Sequence, residues 1–230
     1  MAIQEKLLEI NQKLAEVCSK HHRQPEAVLL LAVSKFHPFE KIEQAYAAGQ
    51  RHFAESYWQE AEEKIATNPH KDLIWHFIGP IQSNKTRGIA GHFDWVHSVD
   101  RKKIIERLNE HRGLHAELPP LNLLLQVNIS EEPQKSGCLP EELDSLIAAT
   151  QAAPHLNLRG LMAIAENVGD DTSRLQKQFA RLQGLFAKYQ TKIPTLDTLS
   201  MGMSNDYELA IANGSTMVRL GTAIFGPRPA

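Results

Sequence analysis

The sequence predicts an α/β fold, a single (β/α)8 barrel of the TIM type with an extra N-terminal helix. Short apolar segments alternate with helical segments along the chain, and eight such pairs fit into its 230 residues. Alternating βα units indicate a parallel sheet, and a count of eight favours a closed barrel. An open doubly wound sheet is the alternative, but no change in composition marks the second domain that it would need.

The first predicted element is a helix within residues 1–24, which covers the barrel. Apolar residues recur there at steps of three and four, from Ile3 to Val17. The barrel occupies residues 25–230 and begins with the apolar run 28–33, followed by Ser34 and Lys35. A run this short, with β-branched residues, is typical of a strand that is buried on both faces.

The rest of the chain shows the same alternation of short apolar segments and helical segments. Ser56, with Gln59 three residues later, predicts a capped helix after the second strand, and Asp100 predicts another that ends at Gly113. A loop with Pro133 follows the fifth strand, and a short helix is expected over 207–212. The seven further strands are predicted at 51–55, 73–78, 94–98, 121–129, 156–162, 196–200 and 216–220.

Composition excludes several classes of function. The net charge is −2 and no basic run is longer than residues 101–103, so neither nucleic acid nor a membrane surface is an expected partner. Cys18 and Cys138 lie far apart, which favours a reducing cytoplasm over a disulfide framework. His111 and His115 lack a carboxylate motif, so we expect no metal site.

Lys35 is the first candidate functional residue, because it follows a buried strand at its C-terminal end. Ligands of α/β folds bind at those ends. An amine held in an apolar mouth has a lowered pKa and attacks a carbonyl carbon to form a Schiff base. Taken alone, a lysine whose amine simply reaches water is the commoner alternative.

Two loops resemble phosphate sites. Barrels often bind phosphate after strands seven and eight, and there the chain carries Gly202 with Ser204, and Gly221 with Thr222. For each loop alone, an ordinary turn or helix cap explains the residues equally well. Their occurrence together, at the standard phosphate position, favours a phosphate cradle.

Arg219 interrupts an otherwise apolar eighth strand, so it needs a partner, either a core carboxylate or a ligand. A Schiff-base lysine, a phosphate cradle and an arginine together describe a site for pyridoxal 5′-phosphate (PLP). A guanidinium stays protonated and does not give a proton to the ring nitrogen, which makes the cofactor a weaker electron sink.

The chain closely resembles the pyridoxal phosphate homeostasis protein family, single-domain relatives of the alanine racemase barrel. The matching segments are LLAVSK (30–35), HFIGPIQSNK (76–85), KSG (135–137), RGLMAI (159–164), LSMGMS (199–204) and GSTMVRLGTAIFG (214–226). The resemblance implies that Lys35 carries the cofactor, that Ser204, Gly221 and Thr222 contact its phosphate, and that Arg219 faces the pyridine nitrogen. It also implies a regulatory protein without established turnover.

One segment departs from the family. Where relatives have Phe-Gly-Glu-Asn-Tyr, residues 53–57 read Phe-Ala-Glu-Ser-Tyr, and the shorter Ser56 lacks an amide donor pair. Ser56 therefore enters the candidate set as a weaker contact. The expected cofactor-binding residues are Lys35, Ser56, Ser200, Met203, Ser204, Arg219, Gly221 and Thr222.

Two other functions compete. A PLP-dependent racemase or decarboxylase needs a second acid/base, which racemase relatives take from a β-domain after the barrel; only four residues follow Gly226, so we expect binding without turnover. Tyr57 or His76 would be the replacement base, but a histidine between Trp75 and Phe77 in a strand is more often a satisfied core residue. Residues 79–86 resemble a P-loop, but Asn84 replaces the required glycine. We further expect a monomer that serves PLP-dependent client enzymes.

Overall fold

Eight parallel strands form the centre of the molecule. The computed structural model describes residues 2–130, 135–166 and 171–228. Each strand is short, apolar and almost fully buried, as expected for a sheet covered by helices. The strands are β1 (Leu29–Val33), β2 (His52–Glu55), β3 (Ile74–Phe77), β4 (Trp95–Val99), β5 (Leu121–Gln126), β6 (Leu156–Met162), β7 (Thr198–Ser200) and β8 (Met217–Leu220).

The strands follow one another in sequence order around a closed barrel. Closure occurs where β8 pairs with β1, with Arg219 beside Leu31 and Leu220 beside Ala32. The predicted (β/α)8 barrel is confirmed. Because β1 and β8 are neighbours, the turn that carries Lys35 adjoins the turn that carries Gly221.

Helices surround the barrel. Helix α1 packs against α2, α8 and α9 and buries Ile3, Leu7 and Leu14 against them. No helix among the described residues is long and apolar enough to cross a membrane. The helices are α1 (Ile3–Lys20), α2 (Phe39–Ala47), α3 (Trp58–Thr67), α4 (Thr86–His92), α5 (Lys102–Arg112), α6 (Leu143–Gln151), α7 (Thr172–Gln190), α8 (Tyr207–Ala212) and α9 (Thr222–Phe225).

The interior of the barrel contains two small apolar clusters and a polar group. One cluster contains Leu31 and Met217 of neighbouring strands, and the other contains Trp95 and Leu124. The main apolar core, by contrast, lies between the strands and the helices. The polar interior group consists of His52, His76, His97, Ser200 and Arg219.

Both predicted helix caps are wrong. Helix α3 begins at Trp58 with Tyr57 as its N-cap, so Ser56 lies outside it. Helix α5 begins after Arg101, and the Asp100 carboxylate accepts a hydrogen bond from the Arg101 side chain at 2.6 Å instead of capping. In both places a residue with extended backbone lies between the polar side chain and the helix.

Other boundaries differ by a few residues. Strand β1 ends at Val33, two residues before Lys35, and β5 ends at Gln126, short of the predicted residue 129. Helix α8 has its predicted bounds. Helix α9 is too short to show a periodic pattern and was not predicted. The loop expected around Pro133 lies outside the described residues.

Candidate functional site

Lys35 lies at the C-terminal mouth of the barrel, two residues beyond β1. Lys35 continues the alternation of Leu31 and Val33, whose side chains face the barrel interior, and so lies on the same side of the chain. The side chain is half-buried. Within the described part of the chain its Nζ forms no hydrogen bond and no salt bridge, and it lies 5.9 Å from the centroid of the Phe36 ring.

The surroundings of Lys35 favour its neutral amine. Burial lowers the pKa of Lys35, and the nearby positive charge of Arg228 lowers this pKa further. Glu55 and Glu60 act in the opposite direction, but more weakly. A larger fraction of Lys35 is therefore unprotonated near neutral pH than of an ordinary lysine, and only that form is nucleophilic.

The turn after Lys35 is strained. Phe36 has φ +67°, a backbone conformation that bulky residues rarely adopt. The backbone N–H of His37 donates to the carbonyl of Ser34 at 3.1 Å, and the Phe36 N–H donates to the Glu60 carboxylate. Such strain persists only where neighbours enforce it, and it is concentrated at functional sites.

A buried charge cluster on the outer side of β1 and β2 enforces the turn. Lys64 Nζ donates to Glu55 at 2.8 Å, to Glu60 at 2.7 Å and to the Ser34 carbonyl at 3.0 Å. The Ser34 hydroxyl also donates to Glu55 at 2.6 Å. Thus α3 is connected to the residue before Lys35 and, through Glu60, to the residue after it.

Glu55 is fully buried, and its Oε2 atom has no hydrogen-bond partner among the described residues. Burial raises the pKa of Glu55, while the ion pair with Lys64 lowers it in part. This cluster was not predicted from the sequence. The four-residue spacing of Glu60 and Lys64 on one helix face was the available signal.

Arg219 is held below the mouth by backbone and hydroxyl oxygens. Nη1 donates to the Ser200 carbonyl at 2.9 Å and to its hydroxyl at 2.8 Å, and Nη2 donates to the Ala163 carbonyl at 2.9 Å. Burial lowers the pKa of Arg219 to about 10, so the guanidinium is protonated at neutral pH. Among the described residues it forms no salt bridge, and Nε has no hydrogen-bond partner.

The two predicted phosphate loops lie on neighbouring strands. Helix α9 begins at Thr222 with Gly221 as its N-cap. The N–H groups of Ile224 and Phe225 donate to the Gly221 carbonyl, whereas those of Thr222 and Ala223 have no backbone acceptor within the helix. A Cβ on Gly221 would lie 3.2 Å from the Val33 carbonyl, which places this loop beside the end of β1. Thr222 is exposed and Ser204 is half-buried.

The loop after β7 turns sharply at Gly202, where φ is +99° and a Cβ would lie 2.6 Å from Ala210 Cβ. Met203 is exposed, and its N–H already donates to the Asp206 carboxylate at 2.5 Å. The side chain of Met203, and not its amide, is therefore directed to the outside.

Ser56 and the P-loop-like segment at residues 79–86 are both held by packing and hydrogen bonds within the protein. Ser56 is buried, and its carbonyl oxygen packs so closely on Gly79 that a Cβ there would lie 1.9 Å away. In the P-loop-like segment, Thr86 is fully buried and its hydroxyl donates to the Ser83 carbonyl at 2.8 Å. That hydroxyl is unavailable to a metal–nucleotide complex, which argues against the P-loop alternative.

Two cavities adjoin the site. One of about 640 Å³ lies between α2 and α3 and is lined by Phe36, Glu60 and Lys64. It lies on the helix side of the Lys35 turn and not above the amine. A smaller cavity of about 290 Å³ lies at the mouth itself, between Gln82 and Gln126.

The fold and this site define a class, namely barrels of the alanine racemase N-terminal domain. Residues 8–229 match the family model described as alanine racemase, N-terminal domain. Within that class, the chain belongs to the pyridoxal phosphate homeostasis protein family. The family relationship rests on relatives of nearly equal length.

The pyridoxal phosphate homeostasis protein of Pseudomonas aeruginosa is 51% identical over 226 residues, covering 98% of this chain and 96% of the relative. The Escherichia coli protein of the same name is 50% identical, covering 96% and 95%. The solved structure of PipY from Synechococcus elongatus with PLP bound is 38% identical, covers 97% of this chain and 100% of PipY, and has a TM-score of 0.84. Alanine racemase of Clostridium difficile, 13% identical with a TM-score of 0.76, shares the fold and covers 97% and 57%.

Proposed function

We propose that this protein binds PLP as a Schiff base on Lys35 and acts in intracellular PLP homeostasis as a carrier or regulator. The observation that carries the proposal is the half-buried Lys35 amine, which has no partner among the described residues and a lowered pKa. Support comes from the PLP bound to PipY and from the names of the relatives.

The residues present fit the cofactor. When bound, PLP supplies an aldehyde that condenses with a primary amine, forming a carbon–nitrogen double bond and releasing water. Lys35 supplies that amine in its neutral form. Gly221, Thr222 and Ser204 supply amide and hydroxyl donors for a phosphate beside the end of β1.

Arg219 supplies the contact for the ring nitrogen. Nη1 donates twice to Ser200 and Nη2 donates once to Ala163, which leaves Nε and one N–H of Nη2 for a ligand. Ser200 thus acts through Arg219, whereas Ser56 and Met203 are the outer members of the proposed site. With a pKa of about 10, Arg219 keeps its proton at neutral pH and withdraws little electron density from the ring.

The same geometry supports binding without robust turnover. Racemisation needs a second acid/base, and His76 is fully buried with both ring nitrogens engaged by His52 and His97. Tyr57 is exposed and packs on Phe36, at 5.3 Å between ring centroids. A PLP-dependent racemase therefore remains the second candidate, favoured only by the shared fold.

Two features support the proposed cytoplasmic setting and the proposed service to PLP-dependent client enzymes. Cys18 and Cys138 are both free and buried, as in a reducing compartment. Around the mouth, exposed apolar side chains follow four different strands and offer a surface that a client enzyme could contact. These side chains are Phe36, Tyr57, Ile164 and Met203.

The proposal is tested by titrating the purified protein with PLP and following visible absorbance. Wild-type protein and Lys71→Ala, which removes an exposed lysine, should develop the same Schiff-base band. Lys35→Ala should develop none while its unfolding temperature is unchanged. A band in Lys35→Ala would refute the assignment, and α-proton exchange of alanine in deuterated water at an enzyme-like rate would favour the racemase.

A further inference from the structure

Five polar side chains form a continuous hydrogen-bonded chain through the barrel interior. His52 Nδ1 lies 3.0 Å from His76 Nε2, and His76 Nδ1 lies 2.9 Å from His97 Nε2. His97 Nδ1 lies 3.4 Å from the Ser200 hydroxyl, which accepts from Arg219 Nη1 at 2.8 Å. The chain begins at the first residue of β2 and ends one residue before the end of β8. It therefore crosses the barrel from the N-terminal side to the mouth.

We propose that His52, His76, His97 and Ser200 form a relay that positions Arg219 and transmits the protonation state of His52 to it. The claim about Arg219 rests on the proposed function, because it takes the guanidinium to face the ring nitrogen. The claim about the histidines stands on the apo-protein alone.

Each neutral imidazole has one donor and one acceptor nitrogen, so the chain has only two consistent polarities. In the first, the Ser200 hydroxyl donates to His97, His97 donates to His76, and His76 donates to His52. In the second, every one of these hydrogen bonds runs in the opposite direction. A mixed arrangement would leave two donors or two acceptors facing each other inside the barrel, which is unfavourable because buried polar groups then lack partners.

Protonation of His52 selects the second polarity. A charged imidazole donates from both nitrogens, so His52 Nδ1 then donates to His76, and His76 and His97 must each carry their proton on Nδ1. The Ser200 oxygen then accepts from both His97 and Arg219. When His52 is neutral the first polarity is favoured, because the Ser200 hydroxyl proton then has His97 as its acceptor, whereas in the second polarity it has none among the described residues. In the first polarity the Ser200 oxygen also serves Arg219 without a competing donor, so Arg219 is held more strongly when His52 is neutral.

The surroundings make His52 the group that titrates. His76 and His97 are fully buried, whereas His52 is partly exposed at the N-terminal side of the barrel. Burial lowers the pKa of all three, and most strongly those of His76 and His97. Both inner imidazoles therefore stay neutral and respond by exchanging tautomers.

Few charged groups face this chain. His76 of β3 faces His52, and Arg219 of β8 faces His97. The carboxylate of Asp206 acts on Arg219 and raises its pKa in part. Trp95 of β4 stacks on His76, and the guanidinium of Arg159, paired with Asp197, lies over the Trp95 ring. Arg51, the neighbour of His52 in sequence, pairs with Asp72 on the outside.

The test uses ¹⁵N-histidine NMR of the apo-protein between pH 5 and 8, with His52→Gln as the matched variant. Glutamine keeps hydrogen-bonding atoms at the partly exposed end but does not titrate. In wild type, His76 and His97 should exchange tautomers together, with the midpoint at which His52 titrates. In His52→Gln this exchange should be lost. Tautomers that stay fixed while His52 titrates would overturn the relay.

A second readout uses the PLP-loaded protein. The visible band of wild type should shift with the same midpoint, and the band of His52→Gln should not. A shift that persists unchanged in His52→Gln, or a constant band in wild type, would overturn transmission to Arg219. If wild type forms no band at all, the proposed function fails, while the tautomer measurement still decides the relay.

Discussion

Lys64 Nζ lies 2.8 Å from Glu55 Oε1 in a fully buried ion pair beneath the turn that carries Lys35. Neither residue is in position to contact a cofactor at the mouth. Their role is to hold the backbone on both sides of Lys35, since Lys64 also bonds the Ser34 carbonyl and Glu60. The position of the Lys35 amine thus depends on charged side chains that lie outside the barrel.

Replacing Lys64 by methionine should lower the free energy of unfolding by about 3–5 kcal/mol, because it leaves a buried carboxylate without its counter-ion. Urea denaturation measures this change. Adding Glu55→Gln should recover part of the loss, since the buried charge is then removed. The control Lys13→Met breaks an exposed pair with Glu9 and should cause no measurable change. Equal effects of Lys64→Met and Lys13→Met would contradict the role of the cluster.

The buried histidines predict that acid weakens the fold. Burial lowers the pKa of His76 and His97 well below 6.5, so the unfolded chain binds more protons than the native state below that pH. Stability is therefore full above pH 6.5 and is lost as pH falls. For these two residues the free energy of unfolding should drop by about 2–3 kcal/mol between about pH 7.5 and 5.5.

Protonation of Glu55 has the opposite effect on the free energy of unfolding. Burial raises the pKa of Glu55 above 4.5, so between that raised pKa and 4.5 the native state binds a proton that the unfolded chain does not, and stability is gained as pH falls through this window. Glu55→Gln should consequently steepen the acid-dependent loss. Urea denaturation at a series of pH values measures both slopes. A wild-type stability that is constant between about pH 7.5 and 5.5 would show that these imidazoles are not buried in neutral form.

Thr222→Val tests the phosphate loop with little change in shape. Removing one hydroxyl donor to a charged phosphate should weaken PLP binding about tenfold, equivalent to about 1.4 kcal/mol. Fluorescence or absorbance titration gives the Kd, and the unfolding temperature should stay the same. Thr191→Val, at the end of α7, removes a hydroxyl far from the mouth and should leave the Kd unchanged. If the two variants bind PLP equally well, Thr222 is not a phosphate contact.

Replacement of two glycines by alanine should have opposite effects on stability. A Cβ on Gly79 would lie 1.9 Å from the Ser56 carbonyl, so Gly79→Ala must displace the backbone and should strongly destabilise the protein. Gly184 in α7 has open space around it, and Gly184→Ala should raise the free energy of unfolding by about 0.5–1 kcal/mol. Thermal unfolding compares the two, and tolerance of Gly79→Ala would contradict the close approach of β2 and β3 ends.

The sequence was sufficient to predict the barrel and to place Lys35 just after its first strand. Strand–helix alternation and apolar runs are local signals, so the eight strands and the position of Lys35 follow from them. Caps were less predictable, because Ser56 and Asp100 have capping side chains but a further extended residue separates each from its helix. Nothing in the local sequence indicates that one extended residue separates each polar side chain from its helix.

Side-chain contacts between residues of different strands could not be predicted from the sequence. His76 suggested only a core histidine, and nothing local places it within hydrogen-bond distance of both His52 and His97. The expectation that Arg219 pairs with a carboxylate or a ligand likewise left out its actual protein partners, the Ser200 and Ala163 oxygens. Such contacts depend on strand register, which the closed barrel alone fixes.

The central claim is that Lys35 is the residue that carries PLP, and borohydride reduction tests it directly. The protein is incubated with PLP, reduced, digested and mapped by mass spectrometry. We expect one stoichiometric pyridoxyl adduct, on the peptide that contains Lys35, and no such adduct in Lys35→Ala. A stoichiometric adduct on another lysine, or no adduct on any, would contradict the account.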